Sequence, residues 1–258
     1  TSETTAILSG TVTDQTGTPA AEVEIIALMG CPSDVADAGG AAYGADFAAT
    51  PRTLSGPKGE FSLPLVLANS PGDATIVLRK EGFTPSVLSV KAPFEAHYKF
   101  ILSPQKYLSG RILNKDALPI ADAIILISVL SGSSGMDFPV SYNKLFPDSK
   151  IFRTNKKGEF NTPVPETSLQ FRVETHGVTY LTFPKSWQPG EARTDFTLIT
   201  VEADILHGMV VDQEGQPLGC ARVRAECADS TGAPRNQSIV TGVDGRFAFF
   251  FNSPAQSI

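Results

Sequence analysis

Near its start the chain reads Ile7-Leu8-Ser9-Gly10-Thr11-Val12-Thr13-Asp14-Gln15-Thr16-Gly17-Thr18-Pro19, and the same phrase is written twice more. It returns as Tyr107-Leu108-Ser109-Gly110-Arg111-Ile112-Leu113-Asn114-Lys115-Asp116-Ala117-Leu118-Pro119 and as Ile205-Leu206-His207-Gly208-Met209-Val210-Val211-Asp212-Gln213-Glu214-Gly215-Gln216-Pro217. A second phrase follows each copy: Ser55-Gly56-Pro57-Lys58-Gly59-Glu60-Phe61, Thr154-Asn155-Lys156-Lys157-Gly158-Glu159-Phe160 and Thr241-Gly242-Val243-Asp244-Gly245-Arg246-Phe247. Gly10, Gly110 and Gly208 stand 100 and 98 residues apart. A period of that size marks tandem domains rather than short solenoid repeats. The boundaries that follow are 1–104, 105–201 and 202–258, the last copy truncated.

Each copy opens on an alternating segment, 7–13, 107–113 and 205–211. Apolar residues at every second position put one face on a core and one in water. A turn rich in Asp, Asn, Gly and Pro follows, where Asp14 and Asp212 can bond their own backbone two residues on and the second copy has Asn114. Gly17 and Gly215 accept positive φ in that turn. Ala117 replaces them in the second copy, so that turn is expected to be modified. Second strands are expected over 23–28, 123–129 and 221–227. Ile124-Ile125-Leu126-Ile127 is apolar throughout, as in a strand covered on both faces. Arg222 and Arg224 alternate with Val223 and Ala225, which gives a wet basic face. Insertions over 29–50, 130–150 and 229–237 lack periodicity, and Ser131-Gly132-Ser133-Ser134-Gly135 has the composition of a flexible linker. The Gly-x-Phe hairpin then turns Phe61, Phe160 and Phe247 inward. Further strands are expected over 75–80, 99–102, 169–174 and 195–199. The chain carries 22 glycines and 19 prolines, with no three-turn amphipathic helix between them. This is the distribution of all-β sandwiches.

These phrases resemble the carboxypeptidase regulatory-like domain. Gly10, Asp14, Gly17, Pro19, Gly59 and Phe61 carry the likeness in the first copy. Gly208, Asp212, Gly215, Pro217, Asp244, Gly245 and Phe247 carry it in the third. The second keeps Gly110, Pro119, Gly158 and Phe160. The resemblance implies tandem seven-stranded antiparallel sandwiches, transthyretin-like and Greek-key, related to collagen-adhesin B-type repeats. It also implies an accessory or spacer role on secreted and surface proteins of bacteria. The self-made Lys–Asn crosslink of some B-type repeats is not expected. The first strands of the two complete copies hold no Lys, and their last strands no Asn.

The motifs name turns and a core aromatic, not chemistry, so no catalytic set, cofactor or metal is expected. His97, His176 and His207 lie in different strands or copies and lack metal-ligand spacing. Asp14, Asp212 and Asp244 stand nearly alone, whereas calcium needs six to eight oxygens. The net charge of −6 and the scatter of Lys and Arg argue against a nucleic-acid partner. No apolar run reaches the ~18 residues of a membrane helix. Cys220 and Cys227, read on one strand, would stand about 23 Å apart at ~3.3 Å per residue. That is too far for a disulfide, which allows ~7 Å between Cα atoms.

Aromatic residues in the insertions and loops are the one feature suited to a ligand. These are Tyr43 and Phe47, then Phe138, Tyr142 and Phe146, then Trp187. Exposed, they could stack on a sugar ring or hold a peptide. Folded back, they would cover a sandwich edge.

The reading is a non-enzymatic spacer, stalk or adhesion scaffold within a larger extracellular or cell-envelope protein. Its partners would be the rest of the parent polypeptide and a glycan or protein ligand. A binding module built on the insertions, or a regulatory appendage of a hydrolase, are the alternatives. The junctions 103–105 and 200–202 are short and limit swivel. The third copy has room for only half a sandwich, so residues 203–258 are expected to be unstable alone and the natural chain to continue.

Overall fold

The computed structural model describes residues 5–29, 50–66, 74–91, 94, 97–131, 138–146, 152–164, 169–175, 178–182, 192–219, 221–228, 234–242 and 244–252. Among these, the regular structure is strand throughout apart from 3-10 geometry at Tyr142–Leu145 and at Phe152.

The first repeat supplies β1 (Thr5–Asp14), β2 (Glu24–Met29), β3 (Arg52–Leu54), β4 (Glu60–Val66), β5 (Ala74–Arg79), β6 (Ser86–Val90) and β7 (Tyr98–Leu102). They form a sheet of order β4-β1-β7 and a sheet of order β3-β2-β5-β6. On β4 the alternation is strict: Phe61, Leu63 and Leu65 are buried and the residues between them face water. These side chains meet Leu8 and Val12 of β1, Ile25 of β2, Ile76 and Leu78 of β5, and Phe100 and Leu102 of β7 in one core.

The second repeat supplies β8 (Tyr107–Leu113), β9 (Ile124–Ser131), β10 (Phe138–Ser141), β11 (Glu159–Pro163), β12 (Leu169–Thr175), β13 (Val178–Thr182) and β14 (Arg193–Ile199). Its sheets run β11-β8-β14 and β10-β9-β12-β13. Here the insertion expected over 130–150 holds regular structure. β9 extends through Ser131, and β10 returns along it with Phe138 opposite Ser131. Residues 132–137 lie outside the described residues. In both repeats the pairing is antiparallel except between first and last strands, where β7 lies parallel to β1 and β14 parallel to β8.

The third repeat supplies β15 (Val201–Met209), β16 (Arg222–Ala228), β17 (Pro234–Val240) and β18 (Arg246–Asn252). β15 pairs β18, and β16 pairs β17. Cys220 lies outside the described residues and precedes β16, which carries Cys227 alone. β15 starts at Val201, four residues earlier than its alternation suggested, because its first two residues join the second repeat's sheet. Val201 pairs Leu181, and Glu202 pairs Tyr180.

The recurring phrases hold two devices. In the first, Oδ1 of Asp14, Asn114 or Asp212 accepts two backbone N–H bonds. The donors stand two and four residues on: Thr16 and Thr18 at 2.8 and 2.9 Å, Asp116 and Leu118 at 2.9 and 2.9 Å, Glu214 and Gln216 at 2.9 and 2.8 Å. One carboxylate or amide oxygen thus closes the loop. The modified turn expected at Ala117 does not occur. Ala117 takes φ +59°, against +85° at Gly17 and +80° at Gly215, and its N–H donates to the Asn114 carbonyl as Gly17 does to Asp14. The second device is a buried hydroxyl. Ser55 accepts from the Val23 N–H and donates to the Ala20 carbonyl, at 2.9 and 2.7 Å. Thr154 does the same between Ala123 and Ile120 at 2.9 and 2.8 Å. Thr241 does so between Ala221 and Leu218 at 2.9 and 2.8 Å. The first residue of the second phrase therefore ties the opening of the second strand to the end of the first turn.

Candidate functional site

Of the aromatics singled out in the second insertion, Tyr142 and Phe146 come together, and they point inward. Tyr142 is fully buried. Its ring meets Phe146 edge-on at 5.1 Å between centroids and Phe152 at 6.5 Å. Phe146 and Phe152 are 5.4 Å apart, and Phe146 is half-buried. Tyr142 thus offers no free stacking face. Tyr43, Phe47 and Trp187 lie outside the described residues, and for Phe138 only its place on β10 is described.

Tyr142 and Leu145 join the second repeat's core, and that core reaches the first repeat. Tyr142, Leu145 and Phe152 belong to one buried cluster with Leu108, Ile112, Ile125 and Phe160 of the second repeat, and the cluster takes in Ile26, Val77 and Val87 of the first, with Leu28 packed on its margin. Ile26 and Val77 sit on the outer face of the β3-β2-β5-β6 sheet, because their neighbours Ile25, Ile76 and Leu78 fill the first repeat's own core. β5 is therefore buried along nearly all its length, Thr75 and Val77 included. Burial of an aliphatic side chain contributes roughly 1.5–3 kcal/mol, so Ile26, Val77 and Val87 make this contact strong for a junction.

Hydrogen bonds fix the connecting segments. The Thr84 N–H donates to the Ser103 carbonyl at 2.8 Å, and the Gln105 N–H to the Gly82 carbonyl at 3.0 Å. The Thr84 hydroxyl donates to the Pro104 carbonyl at 3.1 Å, and the Gln15 amide to the Ser103 hydroxyl at 3.0 Å. One residue beyond, the Lys106 carbonyl accepts from the Val164 N–H of the second repeat at 3.1 Å. At the next junction the Thr200 N–H and hydroxyl both donate to the Leu113 carbonyl, at 2.9 and 3.2 Å. From there β15 runs directly into the second repeat's sheet, giving the order β10-β9-β12-β13-β15-β18.

Two carboxylates stabilise turns. The Thr16 hydroxyl bond to Asp14, joined by backbone N–H bonds from Thr18, Thr16 and Gly17, outweighs desolvation and holds that carboxyl below its ordinary value. Glu159 is lowered chiefly by the Asn155 amide, then by Arg111. His97 lies 3.4 Å from the Thr11 hydroxyl. His207 is on β15, and His176 lies outside the described residues. Among the described residues no three His, Cys, Asp or Glu gather to hold a metal ion.

Ser103 lies in the junction expected at 103–105, whereas Ile26, Val77, Val87 and Thr84 were not singled out from the sequence. Their signal was consecutive apolar residues at 25–26 and 76–78, where a one-sided strand would alternate.

No family model matches the chain, and no curated protein does. Among solved structures it is similar to a Streptococcal ancillary pilin, with 12% identity, 76% of this chain and 62% of that chain covered, and a TM-score of 0.33. It is similar to the shaft pilin SpaA of Lactobacillus rhamnosus GG at 13% identity, over 80% of this chain and 100% of that one, with a TM-score of 0.26. It is also similar to a 3-chlorocatechol 1,2-dioxygenase of Rhodococcus opacus 1CP at 19% identity, over 40% and 61%, with a TM-score of 0.27. The chain spans less than two thirds of the dioxygenase and of the ancillary pilin. TM-scores of this size bear on neither activity nor partner.

Proposed function

We propose that the chain is a non-enzymatic spacer: tandem β-sandwiches of the carboxypeptidase regulatory-like kind, held at fixed angles within a larger surface or secreted protein. Its role would be to set the distance and orientation of neighbouring domains. The observation that carries this reading is the buried cluster in which Ile26, Val77 and Val87 of the first repeat are continuous with the core of the second. A freely jointed string of domains would leave that face polar. Three copies of the same turn and hydroxyl device support the tandem reading, because those residues maintain shape alone.

The test is small-angle scattering of the chain beside its Val77→Arg variant. The expected result is one narrow distribution of dimensions for the parent and a broader one for the variant, with unchanged far-ultraviolet circular dichroism. A parent already as broad as a flexibly linked chain would refute the proposal. Among the described residues no helix is long and apolar enough to cross a membrane.

A further inference from the structure

We draw no further inference here: the strongest candidate, the exposed basic patch that Lys115, Lys156 and Lys157 form on two adjoining turns of the second repeat, is a solvated surface, and nothing in the structure shows what covers it.

Discussion

Replacing Thr154 by valine keeps the side-chain shape and removes one oxygen that serves two backbone groups. The hydroxyl is buried. It accepts from the Ala123 N–H at 2.9 Å and donates to the Ile120 carbonyl at 2.8 Å. Ala123 is itself fully buried and Ile120 nearly so, so water does not replace the lost partner without opening the turn. A buried polar group left without a partner costs ~1–3 kcal/mol. Two such groups, less the small transfer gain of a methyl group, give about 3 kcal/mol of destabilisation. For a domain of this size that lowers the midpoint by roughly 12–20 °C. Calorimetry gives the second repeat's transition, and hydrogen exchange at the Ala123 amide confirms that the loss is local. Ser55→Ala should act alike in the first repeat, through Val23 and Ala20. A cost below about 0.5 kcal/mol at Thr154, within the range of ordinary surface substitutions, would refute the view that this hydroxyl is a structural clamp.

Thr162 occupies the second repeat's core, and among the described residues its hydroxyl has no hydrogen-bond partner. Thr162→Val should therefore stabilise that repeat by about 1 kcal/mol, measured as a shift of the urea midpoint. Ala117 holds φ +59°. Relief of ~1–2 kcal/mol of left-handed strain by Ala117→Gly exceeds the ~0.5–1 kcal/mol entropic cost of glycine, and the melting point should rise by about 2–4 °C. Asp14 has a carboxyl pKa lowered from 3.8 in the fold. Its ionised form therefore adds stability that is present above 3.8 and lost as pH falls through the lower folded value. The melting-point advantage of the parent over Asp14→Asn should shrink below about pH 4. A pH-independent difference would contradict that account.

The recurring phrases made the strands around them legible, because alternation at 7–13 and 107–113 lies beside turns of known chemistry. β8 occupies its expected span. β3, β6, β10, β13 and β17 escaped notice because each is short or lies in a segment of mixed polarity. β10, for example, is only Phe138–Ser141. The insertion over 130–150 looked aperiodic, yet Phe138–Ser141 pairs along β9, held by partners that composition does not encode. Tyr142 and Phe146 could equally have faced water or a neighbour, since local sequence does not say which surface lies opposite. Val77, whose place in an unbroken apolar run is explained by a second covered face, lies 65 residues before Tyr142 yet joins the same cluster.

The parallel pairing of first and last strands has a mechanical consequence. The chain enters the first repeat at the Thr5 end of β1 and leaves it at the Leu102 end of β7, beside Asp14. Tension between entry and exit drags the two strands past each other lengthwise, in shear. The five paired positions from Gly10–Tyr98 to Asp14–Leu102 carry the load together, where a hairpin pulled from its open end would unzip rung by rung. β8 and β14 have the same geometry, so the two repeats resist stretching in the same manner, whatever holds them to each other.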